Sequence, residues 1–307
     1  MRGLAIMFVV TIHTFWLYDY APILWFGVPM FVFISGLVLT YKYKEKMDIF
    51  RFYKNRILFI GIPYLFWSAI MMLVYFPDTL SRPIDATFAY YLKTSTGNWQ
   101  TLWFVYLIFQ FYMLFPFLIE LYKRSSCKQH CLFVFGGFFL TFISFVVWNN
   151  LLVGLNTNLL PWSYYFILGM TIGYHWNGVF EFLNRIKRFL LPVCLLFGMY
   201  IVLSPSLSKI PLWFNYSYSY STLFVLTGSS LMILFILFLF VNTKRWLGVF
   251  RFLGSLSFGI FLIHRTVMAF LSQLPYQVFF IIVSLVSICL VWLLQKLPYS
   301  EYIIGKK

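Results

Sequence analysis

Ten apolar segments, separated by short polar loops, constrain this chain more than any other feature of its sequence. Each segment is about as long as a helix must be to cross a membrane. Of the 307 residues, 62% are hydrophobic and 10% are charged, whereas about a quarter of the residues in soluble globular chains are charged. We therefore predict an all-α, polytopic membrane protein with a single transmembrane domain over residues 1–307 and no soluble domain. The predicted spans are 3–18, 21–41, 57–76, 102–121, 131–149, 162–175, 189–204, 218–241, 252–271 and 277–294.

The net charge of +15 is distributed over the loops rather than gathered in one patch. Loops on one side of the predicted membrane hold 19 of the 23 Lys and Arg residues, and loops on the other side hold three. Because short basic loops stay in the cytoplasm, both termini are predicted to be cytoplasmic. The same distribution argues against nucleic acid as a partner.

Two histidines are predicted to lie at membrane depth. In "RGLAIMFVVTIH", Arg2 and His13 share one helical face within roughly 20° and lie about 16 Å apart along the axis. His264 closes "RFLGSLSFGIFLIH", precedes Arg265 and reaches a similar depth from the same side. Each imidazole could simply bond a neighbouring helix, but two at matched depth favour a polar intramembrane site. An imidazole there can accept a proton near neutral pH.

Other polar features are open to two interpretations. The basic block at 41–56 is either a cytoplasmic anchor or a cradle for a polyanionic donor such as a coenzyme A thioester. Aromatic residues crowd the predicted outer loops, where they anchor an interface or line a sugar-binding cavity. All eight acidic residues lie in loops or at span ends, which counts against proton-driven transport.

The remaining histidines carry no predicted chemistry. His130 and His175 fall at loop edges and are expected to be solvated or interfacial. The stretch "CKQHC" at 127–131 offers three ligands in a basic loop, so no metal site is predicted.

The order of the motifs resembles the acyltransferase-3 family of integral membrane O-acyltransferases. The first is the Arg-x10-His spacing that ends at His13. The later phrases are "VPMFVFISGLVLT" (28–40), "FYKNRILFIGIPYLFW" (52–67), "LWFVYLIFQFYMLFPFL" (102–118), "YYFILGMTIGY" (164–174) and "SFGIFLIH" (257–264). The resemblance extends to members from bacterial exopolysaccharide operons, which have been regarded both as O-acyltransferases and as exporters.

This resemblance implies a ten-helix fold in a bacterial cell membrane. It implies transfer of an acetyl, succinyl or similar acyl group from cytoplasmic acyl-coenzyme A, with no bound cofactor, to a hydroxyl of an extracytoplasmic polysaccharide or glycan. His13 would be the catalytic imidazole, as general base or acyl carrier, and Arg2 its paired motif residue. Independently of the resemblance, the matched depth of the two histidines predicts a second polar site at His264 and Arg265. Polysaccharide synthase or export subunits are expected as further partners.

The resemblance also suggests residues for the two substrates. The acyl donor is expected at Arg51, Lys54 and Arg56. The acceptor cavity is expected to be lined by Ser35, Trp103, Tyr106, Gln110, Tyr164 and Tyr165. Two alternatives stay open: an exporter of polysaccharide or glycolipid without acyl transfer, and a structural subunit of a polysaccharide synthase.

Overall fold

The computed structural model describes residues 1–14, 26–75, 87, 102–148, 158–207, 223–242 and 247–305. These residues form helices and connecting turns, and no strand occurs among them. The predicted outer aromatic segments at 88–101 and 212–221 lie outside the described residues, as do the outer ends of the first two predicted spans.

Twelve α-helices follow one another along this part of the chain. They are α1 (Arg2–Thr14), α2 (Gly27–Tyr43), α3 (Ile49–Arg56), α4 (Ile62–Tyr75), α5 (Trp103–Arg124), α6 (Cys127–Trp148), α7 (Ser163–Tyr174), α8 (Trp176–Leu207), α9 (Leu223–Asn242), α10 (Leu247–Phe270), α11 (Tyr276–Leu294) and α12 (Glu301–Ile304). A π-helical turn at Ile57–Gly61 joins α3 to α4, and a 3₁₀ turn at Leu160–Trp162 precedes α7.

The all-helical prediction is confirmed for the described residues, and each predicted span overlaps one of these helices. Within the described ranges, four helical stretches are long and apolar enough to cross a membrane: Ile49–Tyr75, Trp103–Arg124, Cys127–Ser144 and Gly248–Phe270. The number of crossings and the side on which the termini lie stay predictions.

The basic segment between the predicted spans 162–175 and 189–204 was expected to be a loop, and this expectation is wrong. Residues from Trp176 onward form the first turns of α8. Leu183, Leu190 and Cys194 are buried and recur at spacings of seven and four residues, which places them on one helical face. Glu181, Arg185 and Arg188 are exposed on the other faces, so the segment is an amphipathic helix whose charges had suggested a loop.

His130 is buried, so of the two expected environments, solvated or interfacial, the solvated one is wrong. Its Nε2 lies 2.9 Å from the carbonyl oxygen of Tyr122, and its Nδ1 lies 2.7 Å from Nε2 of His175. A carbonyl oxygen can only accept, so Nε2 of His130 donates and, in the neutral pair, His175 donates to Nδ1 of His130. Burial, followed by the charges of His130 and Lys44, lowers the pKa of His175.

Two pairs of helices pack with their backbones in close approach. Gly36 of α2 lies against the backbone of α7, and Gly169 and Gly173 of α7 lie against the backbone of α2. Gly3 of α1 meets the backbone of α10 in the same way. Small residues allow this approach between helices that have little else to drive their association in lipid. The glycine-containing motifs at 28–40 and 164–174 therefore form the contact between α2 and α7.

Candidate active site

Two imidazoles meet between α1 and α10. The rings of His13 and His264 are stacked, with their centroids 5.5 Å apart and their planes at 26°. Ten residues earlier on both helices, a methyl group at Gly254 would lie 3.6 Å from the backbone nitrogen of Gly3. The two helices therefore run parallel in one register, and the glycine contact sets the height at which the histidines meet.

Backbone carbonyls determine the tautomer of His264. The side chain is fully buried, and its Nδ1 lies 3.1 Å from the carbonyl oxygen of Ile260 and 2.8 Å from that of Phe261. These oxygens only accept, so Nδ1 carries the proton and the neutral ring presents a lone pair at Nε2. This Nε2 is buried and has no hydrogen-bond partner in the described part of the chain. Within the same residues, His13 is partly exposed and no hydrogen bond holds its ring.

A cation completes this part of the site. Arg265 follows His264 directly on α10, and its Nε is buried without a hydrogen-bond partner among the described residues. The hydroxyl of Tyr75 donates to the backbone carbonyl of Arg265 at 3.0 Å, so α4 packs against α10 at this position. The ion pairs found in the described chain join Glu120 to neighbouring cations and do not involve Arg265. The guanidinium of Arg265 therefore supplies positive charge beside the stacked imidazoles.

A cavity of about 400 Å³ lies at the Arg2 end of α1. Arg2, Lys42 and Arg56 line it, and none of its described lining residues is acidic. The other lining residues are Phe31, Ser35, Val38, Leu39, Tyr43, Asn55, Phe59, Ile60, Phe104, Val105, Ile108, Tyr112, Ser257, Phe258 and Phe261. The cavity therefore combines three cations with an apolar interior.

Arg56 is held in place by aromatic rings. Its guanidinium carbon lies 5.0 Å from the ring centre of Phe52 and 4.9 Å from that of Tyr112. Its Nε is buried and has no hydrogen-bond partner among the described residues. The π-helical turn Ile57–Gly61 follows at once, and such turns are frequent at functional sites. Arg56 is thus a preorganised cation with hydrogen-bonding capacity left for an anion.

Phenylalanine rings separate the cavity from the histidines. The ring of Phe104 lies 5.9 Å from that of Phe31 and 5.5 Å from that of Phe261, and all three line the cavity. The ring of Phe261 lies 5.8 Å from that of His264 on its other side. One aromatic side chain therefore stands between the cationic cavity and the stacked imidazoles.

Comparison with known proteins places the chain in a family. A family profile described as an acyltransferase domain matches residues 1–296. The chain belongs to the acyltransferase-3 family. This membership confirms the resemblance drawn from the order of the motifs and supports acyl transfer as the general activity.

Relatives of this acyltransferase-3 chain carry two kinds of name. It is 26% identical over 255 residues to a Staphylococcus aureus (strain MSSA476) protein named "Probable poly-beta-1,6-N-acetyl-D-glucosamine export protein", covering 79% of this chain and 69% of that protein. It is 24% identical over 323 residues to the "Putative membrane-bound acyltransferase YfiQ" of Bacillus subtilis (strain 168), covering 94% of this chain and 83% of that protein. No solved structure matches it.

Of the three residues predicted to bind the acyl donor in this acyltransferase-3 chain, one lines the cavity. Arg56 lines the cavity and Arg2 joins it there, at the far end of α1 from His13. Lys54 is exposed and is not among the lining residues. The backbone N–H of Arg51 donates to the carboxylate of Asp48 at 2.9 Å, so Arg51 belongs to the N-terminal turn of α3.

Three of the predicted acceptor residues form part of the helix packing. The ring of Trp103 packs on that of Trp162 at 5.5 Å. The hydroxyl of Tyr164 accepts a hydrogen bond from Ser230 at 3.0 Å, and Tyr165 is fully buried. The structure therefore places these side chains between helices.

The other acceptor residues are divided between the cavity and a different face of α5. Ser35 lines the same cavity as Arg56. Tyr106 and Gln110 are partly buried on α5 but are not among the lining residues. The residues of α5 that do line the cavity are Phe104, Val105, Ile108 and Tyr112, which occupy the nearly opposite helical face.

Two features of the site were not identified from the sequence. Lys42, Asn55 and Tyr112 line the cavity but were not singled out. A second signal was present in both histidine helices, because each contains glycine followed ten residues later by histidine. The two helices are aligned so that Gly3 meets Gly254 and His13 meets His264.

Proposed function

We propose that this protein is a membrane O-acyltransferase that moves an acetyl, succinyl or similar group from cytoplasmic acyl-coenzyme A to a hydroxyl of an extracytoplasmic polysaccharide or glycan. The observation that carries the proposal is a cationic cavity separated by one aromatic ring from a stacked pair of imidazoles. Membership of the acyltransferase-3 family supports the reaction class.

The cavity suits a polyanionic thioester. Its volume of about 400 Å³ is within the usual range for ligand pockets, about 300–1,000 Å³. We assign the phosphates of coenzyme A to the end lined by Arg2, Lys42 and Arg56, since guanidinium and ammonium groups bind phosphate well. We assign the acyl end to the apolar interior near Phe104 and Phe261. The charge pattern of the loops supports a cytoplasmic opening.

The imidazoles suit the chemistry. The oxygen of the acceptor hydroxyl attacks the acyl carbon, the hydroxyl proton passes to an imidazole, and coenzyme A leaves as its thiol. His13 then acts either as the base that takes this proton or as a carrier that holds the acyl group before the acceptor arrives. Arg265 supplies positive charge where an oxyanion develops on the attacked carbonyl.

We place the protein in a bacterial cell membrane, with ten spans and both termini in the cytoplasm. The bilayer is then the barrier between the donor and the acceptor. Polysaccharide synthase or export subunits would supply the glycan on the outer side. Export of a polysaccharide without acyl transfer is the second candidate function, because the Staphylococcus relative is named as an export protein.

The test uses purified protein in nanodiscs with radiolabelled acetyl- or succinyl-coenzyme A and an oligosaccharide acceptor. Free coenzyme A, label on the protein and label on the acceptor are measured for the wild type, His13→Ala and His175→Ala. His175 lies outside the site, so we expect transfer in the wild type and His175→Ala and none in His13→Ala.

Failure of this experiment has a defined meaning. Folded wild-type protein that uses neither donor, but moves the labelled oligosaccharide across proteoliposomes, would replace the proposal with the exporter. Collapse of protein levels in His13→Ala would instead indicate a structural role for His13.

A further inference from the structure

We propose that the transfer uses both histidines, with His264 as the base that deprotonates the acceptor hydroxyl and His13 as the imidazole that carries the acyl group. This inference rests on the proposed acyltransferase function and deepens it. It starts from the difference between the two rings, which share one site but not one hydrogen-bonding environment.

His264 is equipped to accept a proton. The carbonyls of Ile260 and Phe261 hold its Nδ1–H, so the lone pair of the neutral ring is at Nε2. That atom is buried and has no partner in the described chain. A buried polar atom without a partner is unusual, and a catalytic role is one of the few explanations for it. A general base needs a lone pair in a fixed direction, which this tautomer provides.

His13 is equipped to carry an acyl group. Its ring is partly exposed, and no hydrogen bond among the described residues holds it. It can therefore turn to reach the thioester. Because its ring is stacked on that of His264, with the centroids 5.5 Å apart, an acyl group on His13 stays beside His264.

The first step forms an acyl-imidazole. A ring nitrogen of His13 attacks the thioester carbon, the carbon–sulfur bond breaks, and the thiolate takes the proton from the other ring nitrogen of His13. Coenzyme A leaves as the thiol, and the acylated His13 is neutral.

The second step forms the ester. The acceptor hydroxyl gives its proton to Nε2 of His264 while its oxygen attacks the acyl carbon. The bond between that carbon and the His13 nitrogen breaks, and the proton on Nε2 passes to the departing nitrogen. Both imidazoles return to their neutral forms, and Arg265 stabilises the oxyanion that forms in each step.

The experiment compares His264→Asn with His13→Asn in single-turnover reactions with labelled acyl-coenzyme A. Asparagine places an amide N–H near the position of Nδ1, so His264→Asn keeps a donor for the backbone carbonyls and loses Nε2. We expect this variant to release coenzyme A and to accumulate label that hydroxylamine removes as a hydroxamate. We expect its transfer to the acceptor to fall by about 100-fold or more. His13→Asn should neither release coenzyme A nor take up label.

A rescue experiment separates catalysis from packing. In His264→Ala, added imidazole should restore transfer to the acceptor, because it supplies a base in the space left by the side chain. Transfer by folded His264→Asn at the wild-type rate would overturn the inference, and so would loss of protein labelling in this variant to the level of His13→Asn. Either result leaves the proposed function standing, whereas folded wild-type protein that neither releases coenzyme A nor transfers label removes both.

Discussion

Substitution of Gly3 tests whether the glycine contact aligns the two histidines. A methyl group on Gly3 would lie 2.5 Å from the carbonyl oxygen of Phe250 and 2.9 Å from the nitrogen of Gly254. Both are backbone atoms, so no side chain can rotate to make room. Moving the methyl from 2.5 Å to 3.4 Å, an ordinary contact, requires α1 and α10 to separate locally by about 0.9 Å.

The expected effect of Gly3→Ala has two parts. Overpacking costs about 1–3 kcal/mol, and alanine returns about 0.5–1 kcal/mol through its better helix propensity, so the net change is destabilising. A displacement near 1 Å in a catalytic constellation can lower the rate about 100-fold. We therefore expect a lower unfolding temperature together with a fall of about 100-fold in the rate of His13-dependent coenzyme A release.

Gly254→Ala is the matched control for this variant. A methyl group there would meet the nitrogen of Gly3 at 3.6 Å and Cβ of Arg2 at 3.8 Å, which are ordinary contacts. Its unfolding temperature in nanodiscs should equal or exceed that of the wild type, and its coenzyme A release should be unchanged. Equal unfolding temperatures and equal release rates for the two variants would refute the reasoning.

Three further outcomes are expected. Arg56→Gln should raise the KM for acyl-coenzyme A about tenfold or more, because a charge-assisted bond to phosphate is lost, whereas Lys54→Gln on the same helix should leave it unchanged in steady-state assays. Phe261→Trp should place a larger ring between the cavity and the histidines. It should therefore lower kcat with little change in donor binding measured by calorimetry. Burial and the charge of His130 lower the pKa of His175 in the folded state, so the stability that the neutral ring contributes is present above the ordinary value of 6.5 and is lost as pH falls through it. The fall in unfolding temperature between about pH 7.5 and pH 5.5 should therefore be smaller in His175→Gln, and an equal fall would contradict this reasoning.

Hydropathy predicted ten of the twelve described helices, because in lipid every backbone polar group must be bonded within its own segment. The short helices α3 and α12 lie outside every predicted span. Hydropathy was less reliable at the helix ends. The charges of 175–188 suggested a loop, yet the buried face formed by Leu183 and Leu190 continues the helix through that segment. Apolar spacing was the better guide there.

Contacts between distant segments could not be read from the sequence in the same way. His130 is buried because it bonds His175, which lies 45 residues away, and neither local pattern indicates the partner. The depth of His13 and His264 follows from counting residues along each span. Their stacking depends on the pairing of α1 with α10, which local spacing does not determine.

The structure gives the Arg-x10-His spacing of α1 a physical meaning within the proposed reaction. Arg2 lines the cavity, and His13 lies beyond the aromatic ring of Phe261, so the two residues do not act on the same atoms. About 16 Å of helix separates them, and in the proposed reaction the extended arm between the phosphates and the thioester of coenzyme A would run in the same direction. Removing one residue between Gly3 and His13 would turn the imidazole by about 100° about the axis of α1, away from His264, even if Gly3 kept its contact. The spacing therefore has to satisfy two conditions together: the reach of the donor from its phosphates, and the register in which α1 meets α10.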